Sequence, residues 1–244
     1  MRIAVFSDIH SNLEALEAFI EHSFRKRVDL YMCLGDIVGY GANPNSCINL
    51  VRTIPSIHFA LGNHDSAAVG GTNYMCGEAL QSISWTKMRL SEENLDFIKN
   101  LPANIQRENM LFCHANPSVT LDWYYISEKP AISRTFFLSR AKIIFAGHTH
   151  LPSIITRKNF LCVYIRNPGD GSVVPVASLN RQIFNCGSIG QPRDGDPRAS
   201  YLIYDTEKNV VEFHRIAYDH ELAARKILAA GLPEVLALRL ATGE

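Results

Sequence analysis

The sequence lacks a surplus of charge of either sign. Its 244 residues contain 24 Lys and Arg and 24 Asp and Glu, which gives a formal net charge of +0 at pH 7. A surplus of positive charge is what steers a protein toward nucleic acid or an anionic membrane. The composition therefore indicates no binding to a nucleic-acid duplex and none to a membrane surface.

Long apolar runs are also lacking. No run approaches the ~20 residues that a transmembrane helix needs. The apolar stretch after Met1 is broken by Asp8, which argues against a signal peptide. From these two absences we expect a cytoplasmic protein without a membrane span.

Cysteines are few, and no two of them form a C-x-x-C pair. Several occur within apolar, strand-like stretches, so we expect free buried thiols in a reducing compartment. The uneven spacing argues against a disulfide framework and against a zinc site built on cysteine. The six are Cys33, Cys47, Cys76, Cys113, Cys162 and Cys186.

The first third of the chain alternates apolar runs with helical patterns. Strands are predicted over 3–6, 30–34 and 57–61, separated by helices over 13–27 and from Pro44 to Val51. Apolar residues make up 47% of the chain, enough for a sizeable core. This order of elements predicts a parallel sheet covered by helices.

The first helix carries its own start signal. Ser11 and Glu14 match a capping box, in which each side chain accepts a hydrogen bond from the backbone N–H of the other. We therefore expect this helix to begin directly after Ser11.

The remaining chain continues with helices and strands and then becomes rich in strands. Helices are predicted over 79–88, 91–101, 133–138 and 219–228, with a tail helix over about 233–240. Strands are predicted over 110–113, 143–146, 154–156, 160–165, 172–176, 182–185, 201–204 and 210–216. No repeat or clear linker interrupts the sequence, so we expect a single domain over 1–244.

Polar side chains follow five of the predicted strands. In open α/β sheets, ligand sites lie at the carboxyl ends of the strands, so these groups are expected on one rim. Alternation along an extended chain would point Asp8 and His10 the same way. The set is Asp8, His10, Asp36, Asn63, His64, Asp65, His114, His148 and His150. It is too large for one tetrahedral zinc and suits two metals drawn from Mn, Fe, Co, Ni and Zn.

The motifs at these strand ends, taken in order, resemble the signature of the calcineurin-like metallophosphoesterase superfamily. They are Asp8-Ile9-His10, Gly35-Asp36, Gly62-Asn63-His64-Asp65, His114 and Gly147-His148-Thr149-His150. The loop from Gly187 to Asp194 resembles the closing loop of the small prokaryotic phosphodiesterase branch. The resemblance implies an α/β fold, a four-layered α/β/β/α sandwich of two mixed sheets flanked by helices.

The resemblance also implies a role for each matched residue. Two divalent metal ions are implied, with Mn first and Fe, Zn, Ni, Co or Mg as alternatives, and a bridging hydroxide between them as the nucleophile. His64 is implied as the general acid, and we expect Asp65 to hold its imidazole in the required tautomer. The implied ligands are Asp8, His10 and His150 for one metal, Asn63, His114 and His148 for the other, and Asp36 for both.

Three functions stay open on this basis. The first is a metal-dependent phosphodiesterase or phosphatase acting on a small phosphate ester or a nucleotide. The second is a hydrolase of dinucleoside polyphosphates such as diadenosine tetraphosphate, although the stretch from Gly35 to Gly41 lacks the Arg that related tetraphosphatases carry. The third is a non-catalytic interaction scaffold of the same fold, which the presence of His64 disfavours.

Several further features are left open by the sequence. Arg193 and Asp194 either contact substrate or hold their loop in place, and we favour the second role. Cys113 is expected to be a core thiol, because strand alternation points it away from His114. The aromatic loop over 115–130 is expected near the site. The physiological substrate and a homo-oligomeric state are not decided by these patterns.

Overall fold

The computed structural model describes residues 1–70, 75–118, 121–158 and 162–244. The helices in this part of the chain are α1 (Leu13–Arg25), α2 (Pro44–Val51), α3 (Asn63–Ala68), α4 (Gly77–Lys87), α5 (Glu92–Lys99), α6 (Lys129–Leu138), α7 (His220–Ala229) and α8 (Glu234–Thr242). The strands are β1 (Arg2–Phe6), β2 (Leu30–Cys33), β3 (Ile57–Phe59), β4 (Asn104–Arg107), β5 (Met110–Cys113), β6 (Ile143–Ala146), β7 (Ser153–Arg157), β8 (Val163–Arg166), β9 (Val173–Pro175), β10 (Arg181–Asn185), β11 (Ala199–Asp205) and β12 (Val210–Ile216).

The strands form two six-stranded mixed sheets. The first has the order β3-β2-β1-β11-β12-β9, and the second has the order β4-β5-β6-β10-β7-β8. In the first sheet β1, β2 and β3 run parallel, and in the second β5, β6 and β10 run parallel. The remaining pairs are antiparallel. The parallel strands of each sheet lie at its centre or toward one edge, so their carboxyl ends can meet at one rim.

The two sheets pack face to face, with helices on their outer faces. Alternate residues of β1 enter different layers, as pleating requires. Ile3 and Val5 belong to the core between the sheets, whereas Ala4 and Phe6 pack against the helices that cover the first sheet. Helix α6 covers the second sheet through a separate apolar cluster. This arrangement confirms the predicted α/β/β/α sandwich.

The last two helices pack on each other and against the start of the chain. Their apolar residues form a cluster that includes Trp85 of α4, and the Trp85 indole donates a hydrogen bond to Ala230 O at 3.0 Å. Lys226 of α7 forms an ion pair with Glu14 of α1. The tail helix ends two residues beyond the predicted range and packs on α7, which in turn contacts α1.

The predicted capping box is wrong. Helix α1 begins at Leu13, and its cap is Asn12, whose Oδ1 accepts a hydrogen bond from Ala15 N at 3.2 Å. Glu14 does not turn back to Ser11, because Lys226 binds its carboxylate. The Ser11–Glu14 pattern is a valid capping-box pattern, but the ion pair between Glu14 and the distant Lys226 takes its place in the folded chain.

Other boundaries differ from the predictions by a few residues, and two elements were not predicted. Helix α3 begins within the Gly62–Asp65 motif, and the edge strand β4 is half exposed and has no apolar alternation to mark it. Strand β8 begins at Val163, while residues 160 and 161 of the predicted strand 160–165 lie outside the described part of the chain. Among the described residues, no helix is both long and apolar enough to cross a bilayer.

Candidate metal centre

The loops that follow the parallel strands are tied together by backbone hydrogen bonds. The N–H of Asp8 donates to Gly35 O at 3.0 Å, which joins the loops after β1 and β2. The N–H of Gly147 donates to His114 O at 2.9 Å, which joins those after β5 and β6. His148 N then donates to Asp8 Oδ2 at 3.0 Å and links the two sheets. The predicted rim is therefore formed by both sheets together.

Five of the predicted ligands have a left-handed backbone, which is uncommon for residues other than glycine. The φ angles are 57° at Asp8, 49° at His10, 52° at Asp36, 66° at His148 and 60° at His150. Each such residue costs about 1–3 kcal/mol, and they accumulate at functional sites. These angles also show that strand alternation does not explain why Asp8 and His10 lie together. Strand β1 ends at Phe6, and the tight turns that follow it orient both side chains.

One group of ligand atoms consists of Asp8, His10 and His150. The Nδ1 atoms of His10 and His150 donate to the carbonyl oxygens of Val38 and Gln191, at 3.2 and 2.5 Å, because a carbonyl can only accept. Both Nε2 atoms therefore carry lone pairs, yet they face each other at 3.1 Å. Asp8 Oδ1 lies 3.3 Å from His150 Nε2 and is buried without a hydrogen-bond partner. Three converging lone pairs fit a cation.

A second group consists of Asp36, Asn63, His114 and His148. His148 Nε2 donates to a backbone carbonyl at 2.9 Å, which leaves its Nδ1 as a lone pair 3.2 Å from His114 Nε2. His114 Nε2 is also 3.0 Å from Asn63 Oδ1 and 3.3 Å from Asp36 Oδ2. Burial lowers the pKa of His114, but Asp36 and Asp8 outweigh it and raise the pKa to about 9. In the metal-free chain a proton therefore occupies this second group.

Asp36 belongs to both groups. Its Oδ2 lies 3.3 Å from His114 Nε2 and 3.7 Å from His10 Nε2, so one oxygen faces both sets of ligands. Its Oδ1 accepts a hydrogen bond from His64 N at 2.8 Å, which fixes the carboxylate plane. This is the geometry expected of a carboxylate shared between two adjacent cations.

The electrostatics of the rim favour metal ligation. Burial lowers the pKa values of His10 and His150, and it lowers that of His148 to about 3, so these imidazoles are neutral near pH 7. Burial opposes ionisation of Asp8 and Asp36, but the positive charge of neighbouring histidines, His114 among them, outweighs it and holds both pKa values below the ordinary range. Two buried carboxylates thus stay charged beside three neutral imidazoles and one protonated one, and a divalent cation would supply the positive charge that this set lacks.

Comparison with known proteins identifies the family of the chain. The model of the calcineurin-like phosphoesterase superfamily domain matches residues 1–209. The chain belongs to this superfamily. A metallophosphoesterase from Sphaerobacter thermophilus is 40% identical, with a TM-score of 0.89, and the match covers 100% of this chain and 99% of the other. As a calcineurin-like phosphoesterase, the protein is a hydrolase that acts on phosphoester bonds.

Two further proteins match this phosphoesterase over at least 99% of its length. An uncharacterized protein from Methanocaldococcus jannaschii is 38% identical over 99% of this chain and 98% of its own length. A hypothetical protein from Pyrococcus horikoshii OT3 is 17% identical, with a TM-score of 0.78, over 100% of this chain and 98% of the other. At that identity the second likeness shows the fold alone. The metal dependence of the family agrees with the ligand groups described above.

His64 and Asp65 do not form the predicted pair. Asp65 Oδ1 accepts hydrogen bonds from the backbone N–H groups of Ile37 and Val38, at 2.9 and 3.1 Å, and Oδ2 accepts one from Gly62 N at 3.2 Å. These bonds occupy the carboxylate, and in the described structure none joins it to the His64 imidazole. The expectation that Asp65 orients His64 is therefore wrong. Asp65 instead holds the loop that follows Asp36.

The His64 imidazole is packed among other rings. Its ring centroid lies 4.8 Å from that of His10 and 4.4 Å from that of Tyr40. Nδ1 is buried without a hydrogen-bond partner and lies against Gly39, where a Cβ would overlap it. Burial lowers the pKa of His64 to about 4. His64 also lies close enough to His10 and Asp36 for the three to form a third group of potential ligand atoms.

An open cavity of about 170 Å³ lies over the ligand groups. Its walls include Tyr40, Tyr125 and Arg193. The Tyr125 ring stacks on that of His148 at 4.4 Å, which places the 115–130 loop beside the site as expected. Asp194, by contrast, forms an ion pair with Arg215 outside this cavity. The loop-holding role expected of both residues thus applies to Asp194, whereas Arg193 faces the centre, a difference that no sequence pattern predicts.

Cys113 is a core thiol, as predicted. It belongs to the apolar cluster beneath α6, and its Sγ donates to Phe145 O at 3.7 Å. Burial raises its pKa to about 12. Cys33, Cys47 and Cys186 are likewise buried and free, whereas two other cysteines are exposed.

Gly62 leaves room for the shared carboxylate. A Cβ at residue 62 would overlap the backbone nitrogen and Oδ1 of Asp36. We expect Gly62→Ala to displace this carboxylate and to lower metal affinity and turnover by about 10–100-fold, as disturbance of ligand support does. Metal analysis of the purified variant, with a hydrolysis assay, checks this. Gly169→Ala is the control, since its nearest contact would be Ser172 Oγ at 3.8 Å. Wild-type metal content in Gly62→Ala would contradict the prediction.

Proposed function

We propose that the protein is a phosphoesterase that works with two divalent cations. Asp8, His10 and His150 hold one cation, and Asn63, His114 and His148 hold the other, with Asp36 between them. The observation that carries the proposal is the convergence of His10 Nε2, His150 Nε2 and the unpartnered Asp8 Oδ1. With the neutral tautomers that Val38 and Gln191 impose, none of these three atoms carries a proton, so each presents a lone pair to the others.

The ligand set narrows the choice of metal. Imidazoles suit Zn, Fe and Ni, whereas carboxylate and amide oxygens suit Mn and Mg, so a mixed set favours metals of intermediate character. We propose Mn²⁺ first, with Fe, Zn, Ni, Co and Mg as alternatives. When bound, the cations act as Lewis acids on the phosphoryl oxygens and lower the pKa of water toward 7.

His64 supplies the proton that the leaving oxygen needs. Because Nδ1 is packed against Gly39, Nε2 is the atom that can exchange a proton with a ligand in the cavity. Burial disfavours the imidazolium, but a phosphate anion bound beside it favours that form. Asp36 fixes the position of this residue by accepting a hydrogen bond from its backbone N–H.

Arg193 binds the substrate phosphate. Its guanidinium carbon lies 5.6 Å from the centroid of the Tyr40 ring, and its Nη2 donates to Gln191 Oε1 at 2.7 Å. Gln191 is also the residue whose carbonyl holds His150, so the arginine is anchored to the centre itself. This position provides the phosphate-binding arginine that the Gly35–Gly41 stretch lacks.

We expect Arg193→Ala to raise KM for phosphate esters by about 10–100-fold, because a hydrogen bond to a charged group contributes about 1.5–3 kcal/mol. Metal content should stay at the wild-type level, since Arg193 is in neither ligand group. Arg193→Lys, which keeps the charge but not the planar fork, should recover part of the affinity. Steady-state kinetics separates KM from kcat. An unchanged KM in Arg193→Ala would show that the arginine only packs its loop.

The function is tested by stripping the protein of metal and reloading it with Mn²⁺, Ni²⁺, Co²⁺, Zn²⁺ or Mg²⁺. Hydrolysis of bis-p-nitrophenyl phosphate, p-nitrophenyl phosphate and diadenosine tetraphosphate is then measured for each metal. Metal-dependent turnover with about two cations per chain is expected, and the preferred substrate separates diester, monoester and anhydride activity. Turnover that survives complete metal removal would overturn the proposal, as would a site that binds one cation only.

A further inference from the structure

Tyr40 lies among three residues of the metal centre that have different tasks. The centroid of its ring lies 4.6 Å from that of His10 and 4.4 Å from that of His64. The guanidinium carbon of Arg193 lies 5.6 Å from the same ring centroid. In the function proposed above, these three residues bind a cation, donate a proton and bind phosphate. Tyr40 belongs to neither ligand group, so its contribution is of another kind.

The backbone of Tyr40 is held in a left-handed conformation. Its φ angle is 57°, which is an outlier for a bulky side chain. The N–H of Tyr40 donates to Ser82 Oγ of α4 at 3.2 Å, and the N–H of Gly41 donates to His10 O at 3.0 Å. Such conformations persist only where the surrounding structure fixes them, and they accumulate at functional sites. Hydrogen bonds to α4 and to a metal ligand therefore set the direction of the Tyr40 ring.

The last two helices pack against this ring. Tyr40 contacts the apolar cluster formed by α7 and α8. Two residues of that cluster, Ile227 and Leu240, line with Tyr40 a cavity of about 10 Å³, which has room for about one water molecule. The ring is also a wall of the larger cavity over the ligand groups. Tyr40 thus separates the metal centre from the two helices, and it has little room to turn away from His64.

His64 lacks the hydrogen bond that usually orients a catalytic imidazole. In such sites a third group commonly binds the imidazole and fixes its direction. Nδ1 of His64 is buried and has no hydrogen-bond partner among the described residues, since backbone N–H groups occupy the carboxylate of Asp65. The Tyr40 ring lies against the imidazole at an interplanar angle of 53°, so it restricts rotation of the imidazole. The orienting contact is therefore aromatic.

The same ring contacts the side chain of Arg193. A guanidinium within about 6 Å of an aromatic centroid is attracted by the π-electrons of the ring. Arg193 is also held by Gln191, whose Oε1 accepts a hydrogen bond from Nη2 at 2.7 Å. Together the two contacts limit the movement of a long side chain beside the cavity.

We propose that Tyr40 is a positioning residue, whose ring directs the His64 imidazole to the leaving oxygen and the Arg193 guanidinium to the phosphate. The proposal rests on the roles given to these two residues above. It assigns to an aromatic ring the orienting task that Asp65 does not perform. The flat ring is needed for this task, whereas the Tyr40 hydroxyl group is not.

The test compares Tyr40→Leu, which removes the ring, with Tyr40→Phe, which keeps it. With diphenyl phosphate and the metal-loaded protein, we expect Tyr40→Leu to lower kcat by about 10–100-fold and to raise KM by about 3–10-fold. Metal content should stay at the wild-type level. The loss of kcat should be smaller for bis-p-nitrophenyl phosphate, whose leaving group needs less protonation. Tyr40→Phe should recover most of both losses, and Tyr164→Leu, at an exposed tyrosine on the edge strand β8, is the control.

Double variants distinguish positioning from a general loosening of the fold. In the His64→Ala background, Tyr40→Leu should lower kcat no further, and in the Arg193→Ala background it should raise KM no further, because each pair acts through one contact. Losses that multiply in both backgrounds would overturn the proposal. So would wild-type kinetics in Tyr40→Leu, or a Tyr40→Phe protein with the full defect of Tyr40→Leu.

Ser82→Ala provides a second test in case Tyr40→Leu does not fold. It removes the acceptor of the Tyr40 N–H and leaves the ring in the chain. We expect a several-fold fall in kcat that disappears in the His64→Ala background, and wild-type kinetics in Ser82→Ala would then overturn the proposal. Ser84→Ala is the matched control, because Ser84 is an exposed serine of the same helix whose Oγ donates to Leu80 O at 2.9 Å.

Failure of the proposed function has a different signature. The wild-type protein would then show no metal-dependent turnover, and the role of Tyr40 would fail with it. If the Tyr40 proposal alone is wrong, the wild type keeps its metal-dependent turnover, and the effects of Tyr40→Leu are independent of His64 and Arg193.

Discussion

Asp36→Asn is expected to abolish metal binding and hydrolysis together. The substitution keeps the size of the side chain, and its amide oxygen can still accept the hydrogen bond from His64 N. It removes the negative charge from the oxygen that faces both His114 and His10. Two adjacent dications repel each other, and a shared carboxylate is the group that offsets this repulsion. The loss of metal affinity and activity should therefore be larger than the loss of about 10–100-fold that follows when a residue supporting a ligand is replaced.

Elemental analysis of the reloaded Asp36→Asn variant gives the number of metal ions per chain, and the rate of hydrolysis of bis-p-nitrophenyl phosphate gives the turnover. We expect fewer than about one cation per chain, compared with two in the wild type. Asp29→Asn is the control for loss of a carboxylate, because Asp29 is exposed and accepts a hydrogen bond from Arg2 N away from the rim. An Asp36→Asn protein with two bound metals would show that this carboxylate is not shared.

The layered fold was predictable because its signals are repeated along the chain. Short apolar runs such as Ile3–Phe6 and Ile143–Ala146 are each followed at once by a polar motif, and topology then brings those motifs to one rim. The sequence also indicates which residue types meet at this rim. It does not predict the orientation of their side chains, because tight turns, rather than strand pleating, orient Asp8 and His10.

Two of the errors share a physical origin, which is competition from partners that the local pattern does not include. The sequence pattern predicts that Glu14 caps a helix at Ser11, three residues away, but Lys226 binds its carboxylate from the far end of the chain. Asp65 is expected to bind the His64 imidazole, but three backbone N–H groups occupy its carboxylate. Local patterns state what a side chain can do, and the tertiary structure decides which option has the lower free energy.

The strained backbone at the rim explains why the ligands need support. Left-handed conformations at Asp8, Asp36 and His148 persist only because surrounding hydrogen bonds hold them. The carbonyl partners of the imidazoles set tautomers before metal arrives, and Asp65 holds the turn after Asp36. The strained backbone lowers the stability of the folded protein, and it holds the ligand lone pairs in a fixed arrangement. That arrangement is the condition for selective metal binding.

His64→Ala is expected to lower kcat by about 10²–10⁴-fold, the contribution of a positioned general acid. Metal content and KM should change little, because the backbone N–H that binds Asp36 is retained. Gly39→Ala should produce a similar loss without removing the imidazole, since its Cβ would overlap His64 Nδ1 and its φ of +93° disfavours alanine. His58→Ala is the control, as His58 is an exposed histidine on β3.

The choice of leaving group separates proton donation from a structural effect. A p-nitrophenolate leaves without protonation more readily than an alkoxide, so the His64→Ala defect should be several-fold larger for alkyl esters than for p-nitrophenyl esters. Brønsted plots of kcat against leaving-group pKa for the wild type and the variant measure this difference. Parallel plots would contradict the acid role, and a loss of one metal in His64→Ala would assign the imidazole to ligation through its position beside His10 and Asp36. Steeper dependence in the variant, with both metals retained, would identify His64 as the proton donor.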